Sequence, residues 1–190
     1  MVKITRSFVR EWARQYDRLA DPRGRADEQA LKAWLRGQQD PKHLDKTHFV
    51  KLARWAAPRQ AEAYESNSPV LVRQATRLAN EATDERLKMH VLSALEGVSV
   101  MVGAAMLHFF HPRLYPIFDI HDRTTLKKAG FWPRRTRDAS VEAWQEYVRI
   151  MRRLARRYRV SLRDLDKALY AYDRWRPRRR RRTAAAGARR

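Results

Sequence analysis

The chain has 190 residues, enough for one domain, or one domain of two lobes, with a sizeable core. Lys and Arg total 42 against 21 Asp and Glu, a formal charge of +21, and such an excess implies a polyanionic partner because phosphate neutralisation releases counterions. There is no cysteine, which excludes disulfides, thiolate zinc sites and cysteine-ligated iron–sulfur clusters. No apolar run approaches the roughly 20 residues of a membrane span, and residues 1–10 lack a signal-type apolar stretch, so a cytoplasmic protein without a membrane partner is expected.

Helix patterns follow one another along the chain. Thr5 can cap a first helix in which Phe8, Val9, Trp12, Ala13, Tyr16 and Leu19 recur at three-to-four spacing, with Pro22 and Gly24 expected to close it. A second helix is expected over about 27–36, ending at Gly37. The third starts near Lys46 or Thr47, carries Phe49, Leu52, Ala53 and Ala56 on one face, and stops before Pro58. A fourth follows Ser68-Pro69 through Val70, Val72 and Leu78, and a fifth starts near Asp84 with Leu87, Met89, Val91, Leu92 and Leu95. Further helices are expected at about 100–110, 122–129, 140–158 and 161–174, the last two opened by Ser140 and Ser161. Only Leu114–Ile120 sustains a strand-like pattern. The fold class is therefore all-α. Residues 176–190, RPRRRRRTAAAGARR, hold eight arginines and no acid, and such a block is expected to stay disordered until it meets polyanion. Without it the body keeps 34 basic and 21 acidic residues, or +13.

The segment with most chemical content is Val91–Gly130, VLSALEGVSVMVGAAMLHFFHPRLYPIFDIHDRTTLKKAG. Two helices meet at Leu95-Glu96-Gly97-Val98-Ser99, a helix of small residues follows, and a loop with Pro112 and Pro116 leads to Asp119 at the head of another helix. This arrangement resembles the helix-hairpin-helix DNA glycosylase superfamily, the endonuclease III-like proteins, over about 40 of the 190 residues. The resemblance implies a two-lobed helical fold: about 23–120, with the hairpin at 95–101, as one lobe, and about 1–22 plus 131–175 as the other. It implies that Gly97, Val98, Ser99, Val100 and Met101 grip DNA, and that Asp119 is the catalytic carboxylate. His121 also matches a position where many members carry His. Met101 stands where bifunctional members have a Schiff-base lysine, which implies a monofunctional enzyme. Ser99 replaces the second hairpin glycine, at a position expected to favour a glycine-type backbone.

The physical chemistry runs parallel to the resemblance. Hairpin amides and a helix N-terminus near Val100 present positive dipoles to a phosphate, which anchors a duplex without reading sequence. Cleaving an N-glycosidic bond builds positive charge on the sugar, and a fixed carboxylate stabilises it and can deprotonate the attacking water. The base must first leave the stack for a pocket lined by rings, for which Trp55, Tyr115 and His121 are the candidates. Arg178, Arg179 and Arg180 of the tail are candidate phosphate contacts. Neither metal nor cofactor is expected. His108, His111 and His121 lack a firm carboxylate partner for a metal site.

The reading that results is a monomeric, nucleoid-associated, monofunctional glycosylase acting on double-stranded DNA with a damaged or modified base and leaving an abasic site. Alkylated purines, deaminated bases, oxidised guanine and modified pyrimidines of the phage type are all compatible. Asp119 and Gly97 can also be read as an ordinary helix cap and an ordinary helix-terminal glycine. The alternatives are a non-catalytic helix-hairpin-helix DNA-binding protein, whose cavity would be filled, and an RNA-associated structural protein supported by charge alone.

The tail gives the first test. Deleting 176–190 removes eight positive charges, and the slope of log affinity against log salt should become shallower by about 0.9 for each phosphate the tail neutralises. An unchanged slope in a DNA-binding titration would make the tail a bystander.

Overall fold

The computed structural model describes residues 1–39, 42–133 and 139–175, and these form ten α-helices and one 3-10 turn with no strand among the described residues. The tail arginines expected to meet phosphate, Arg178, Arg179 and Arg180, lie outside the described residues.

Helix α1 (Arg6–Leu19) starts at Thr5, whose side chain accepts from the Phe8 N–H, and ends at Ala20. Pro22 and Gly24 do not close it, contrary to expectation. Asp21 caps a new helix, α2 (Pro22–Arg36), by accepting from Arg23 N–H, and Pro22 occupies the first helical position, where a missing N–H costs nothing. Helix α3 (Lys46–Ala56) is capped by Asp45 and ends before Pro58. A 3-10 turn (Pro58–Gln60) and the short α4 (Ala61–Ser66), which have no clear sequence pattern, carry the chain to α5 (Pro69–Glu81) and α6 (Glu85–Leu92). After the hairpin come α7 (Val100–Phe110), α8 (Ile120–Lys128), α9 (Val141–Tyr158) and α10 (Leu162–Trp175). Ser140 and Ser161 accept from Ala143 N–H and Asp164 N–H as N-terminal caps. Leu114–Ile120 has no strand partner. The segment reaches from α7 to α8 as an extended link that buries Tyr115, Pro116 and Phe118, without the period-2 burial of a strand.

The core is continuous. Phe49, Leu52, Leu92, Leu95, Met106 and Leu107 are buried together with Phe118, Trp144, Tyr147, Leu165 and Leu169. Helix α1 returns from the start of the chain to lie along α10, and α10 also packs on α8 and α9, while α3 contacts α2, α4, α5 and α7.

The hairpin is held from outside itself. Gly97 has φ +79°, and a Cβ there would stand 2.9 Å from Ala63 Cβ and from two ring carbons of Tyr64. Both the backbone and the space thus require glycine. The buried Asn67 clamps the turn: its Oδ1 accepts from Glu96 N–H at 2.8 Å and its Nδ2 donates to Glu96 O at 3.1 Å. Ser99 is not strained. Its φ −77° and ψ 168° are extended, and it caps α7, so the glycine-type backbone expected there is absent. Gly97→Ala is expected to destabilise the fold by about 1–3 kcal/mol from the backbone alone, with more from the contacts. A thermal midpoint within about 2 °C of the parent would contradict this account of the turn.

Candidate active site

Asp119 is placed by the loop before it. His108, fully buried on α7, donates from Nδ1 to the Tyr115 carbonyl at 2.8 Å, which ties the loop to the core. Burial, with help from Arg163 and Lys32, pushes this imidazole down to about 3, so it is neutral and a fixed donor. Phe118 is buried under the Arg123 guanidinium, 4.5 Å from the ring centre. Asp119 then caps α8, its Oδ1 accepting from His121 N–H at 2.7 Å. Partial burial raises its carboxyl above the ordinary range, against the His121 amide and the Arg123 charge, which lower it.

Asp119 faces a cavity of about 730 Å³, within the ~300–1,000 Å³ of small-molecule pockets. Part of its wall is aromatic. Trp55 comes from α3, with its Nε1 donating to Gly24 O at 2.9 Å and its ring edge-on to Phe109. Tyr16, Tyr170 and Trp175 form a second cluster with ring centres 5.7 to 6.2 Å apart. Arg23, Lys51 and Arg54 line the cavity where side chains reach solvent, and Met101 and Ala105 contribute the face of α7.

Two further carboxyls, Asp122 and Asp166, line the cavity at its most buried part, beside Arg163. Arg163 donates from Nε and Nη2 to the two oxygens of Glu28 at 3.0 and 2.6 Å, and from Nη1 to Asp166 Oδ2 at 2.9 Å. The Tyr147 hydroxyl donates to Asp122 Oδ2 at 3.1 Å. Desolvation, with the neighbouring charge of Asp166, pushes Asp122 well above the usual carboxylate range.

The structure brings together only some of the residues singled out from sequence. Asp119, Trp55 and Met101 line one cavity, and Gly97, Val98, Ser99 and Val100 lead into the helix that carries Met101. Tyr115 is a correction. It is 3 % exposed, stacks on Trp144 with centres 5.8 Å apart, lies under Arg152 and does not line the cavity, because its ring turns toward α9. His121 does not line it either, since its Nδ1 pairs with Asp173 Oδ2 at 2.8 Å and its ring packs edge-on to Tyr170. No group of three His, Asp or Glu among the described residues is placed to hold a metal. Sequence reasoning missed Arg163, Asp166, Tyr16, Tyr170 and Trp175. The signal within reach was Arg163 and Asp166 sitting among Leu162, Leu165 and Leu169, charges in the apolar register of a helix.

Comparison of the chain with protein-family models, curated proteins and solved structures finds no match.

Lys51 is the lysine among the residues lining the cavity, whereas Lys128 is paired with Asp173 and does not line it. With Met101 on the α7 face, no efficient Schiff-base strand scission is expected, and borohydride should trap no covalent adduct on DNA. A trapped adduct that disappears in Lys51→Ala would reverse this and assign Lys51 as the nucleophile.

Proposed function

We propose that the protein is a monofunctional DNA glycosylase of the helix-hairpin-helix type that takes a damaged or modified base out of duplex DNA and hydrolyses its N-glycosidic bond. The observation that carries this reading is Asp119 at an open cavity partly walled by rings, capping the helix that follows the hairpin, α7 and the proline-bearing loop. A carboxylate in that position offsets the positive charge that grows on the sugar as the base departs, and it accepts a proton from the attacking water. Its Oδ1 is committed to the His121 amide, which orients the group and leaves Oδ2 for the chemistry.

The hairpin supplies the anchor. The first amides of α7 have no intrahelical acceptor, and the N-terminal end of that helix dipole favours a phosphate there. Rings on Trp55 and on the Tyr16–Tyr170–Trp175 cluster stack a flipped base without choosing among bases. A non-catalytic binding module has no use for an open cavity of this size above a carboxylate whose second oxygen is free.

The test is a screen of duplexes carrying single lesions, with alkaline cleavage to reveal abasic sites, for the parent and for Asp119→Asn. The parent excises. Asn can still cap α8, so the variant should keep fold and DNA binding while excision falls by about 10²–10⁴-fold. Because the Asp119 carboxyl is raised and must be ionised to act, parent excision should decline with falling pH at a value above the ordinary aspartate range. Unchanged single-turnover excision by Asp119→Asn would remove this residue from the mechanism.

A further inference from the structure

A second groove, of about 630 Å³, forms where the turn between α9 and α10 meets the loop after α7. Of the described residues that line it, only Arg163 also faces the Asp119 cavity, and no residue of α9 lines that cavity. The groove therefore belongs to a different surface.

Its floor is apolar. Pro112 and Leu114 reach it from the loop, and Ala155, Val160 and Leu162 from α9, the turn and α10. Leu114 leaves 51 % of its surface to solvent. The rim is cationic, with Arg113, Arg152, Arg156 and Arg159 and no Asp or Glu among the described residues that line it. Arg152 is committed: Nη2 pairs with Glu85 at 2.9 Å, and Nε donates to the Leu114 carbonyl at 2.8 Å, which ties the loop to α9. Arg113, Arg156 and Arg159 are exposed and make no ion pair or side-chain hydrogen bond among the described residues. Arg149 and Arg153 extend the same charge along α9.

Arg159 is also distinctive in its backbone. With φ 52° and ψ 53° it is the one non-glycine residue of positive φ among the described residues, at a helix end where glycine takes that conformation freely. An arginine there holds its guanidinium at the groove against the preference of its own backbone.

We propose that this groove docks an acidic peptide segment of a partner protein, an apolar side chain on the floor and flanking carboxylates on the arginines. Guanidinium and carboxylate match as planar, bidentate partners, and burying an apolar side chain adds affinity that charge alone lacks. A nucleic-acid backbone suits the rim but not the floor. Phosphates and sugars gain nothing against Leu114 and Val160, and no aromatic ring among the described lining residues is there to stack a base. The proposal does not depend on the Asp119 cavity being a base pocket.

The probe is a short labelled peptide with a leucine flanked by glutamates, against the same peptide with serine in place of leucine. The two carry equal charge, so the comparison separates the floor from the general attraction of a basic protein. Binding to the full-length protein is followed by fluorescence anisotropy at physiological ionic strength. The leucine peptide should bind about tenfold tighter. Leu114→Ser should remove most of that preference. Arg156→Glu should weaken the leucine peptide about fivefold, whereas Arg14→Glu on α1, an equal change in net charge, should weaken it less than about twofold. All three side chains are exposed, so the variants keep the fold. Equal affinity for the two peptides overturns the proposal, as does a leucine preference that survives Leu114→Ser. Should the peptides bind alike while duplex DNA loses more affinity with Arg156→Glu than with Arg14→Glu, the surface is a nucleic-acid contact instead.

Discussion

Arg163 lies almost out of water on α10, and what it touches decides where the walls of the cavity stand. It grips both oxygens of Glu28 from α2 and one oxygen of Asp166, while Lys32 closes on Glu28 from the other side. Burial alone would raise the Glu28 carboxyl, but Arg163 and Lys32 more than offset it, and the group titrates at about 2. Buried networks of this kind add little net stability over an apolar core, yet removing one partner costs about 3–5 kcal/mol because a desolvated charge is left behind. The network therefore acts through arrangement. It fixes α10, with Tyr170 and Trp175, against α2, and it sets Asp166 beside the buried Asp122.

Two electrostatic regimes coexist in the molecule. The surface is dominated by lysine and arginine, which favours approach to a phosphate backbone at long range and weakens with salt. The deep part of the cavity is acidic, with Asp119, Asp122 and Asp166 around one guanidinium already shared with Glu28.

The hairpin and α7 show how close packing serves the same end. A Cβ at Gly103 would stand 2.7 Å from the Met89 sulfur, so the Met89 side chain of α6 lies directly against the α7 backbone at this glycine. With Ala104 and Ala105 also buried, the small-residue helix brings Met101 to the cavity wall and leaves its N-terminus at the turn. The Asn67 clamp on Glu96 and the caging of Gly97 by Ala63 and Tyr64 make α4 part of the hairpin's scaffold. Ser99 departs from a glycine pattern without cost, because its extended backbone lets the hydroxyl cap α7.

By itself, the sequence determined the helical class, most helix limits after α2, and Asp119 at the head of α8. Each of these is local: periodicity, capping residues and proline act within a few residues of themselves. Where the local signals were ambiguous they misled, as at Pro22, which begins a helix as readily as it ends one. Tertiary structure alone decided which rings face the cavity. Trp55 does and Tyr115 does not, because the side on which a ring emerges depends on the partner helix, and α9 takes Tyr115 into the core. It alone placed Glu28, 135 residues from Arg163 along the chain, on the same guanidinium as Asp166. A charged residue at an apolar helix position shows that a partner must exist, but only the packed fold supplies its identity, since pairing in low dielectric is set by distance in space rather than along the chain.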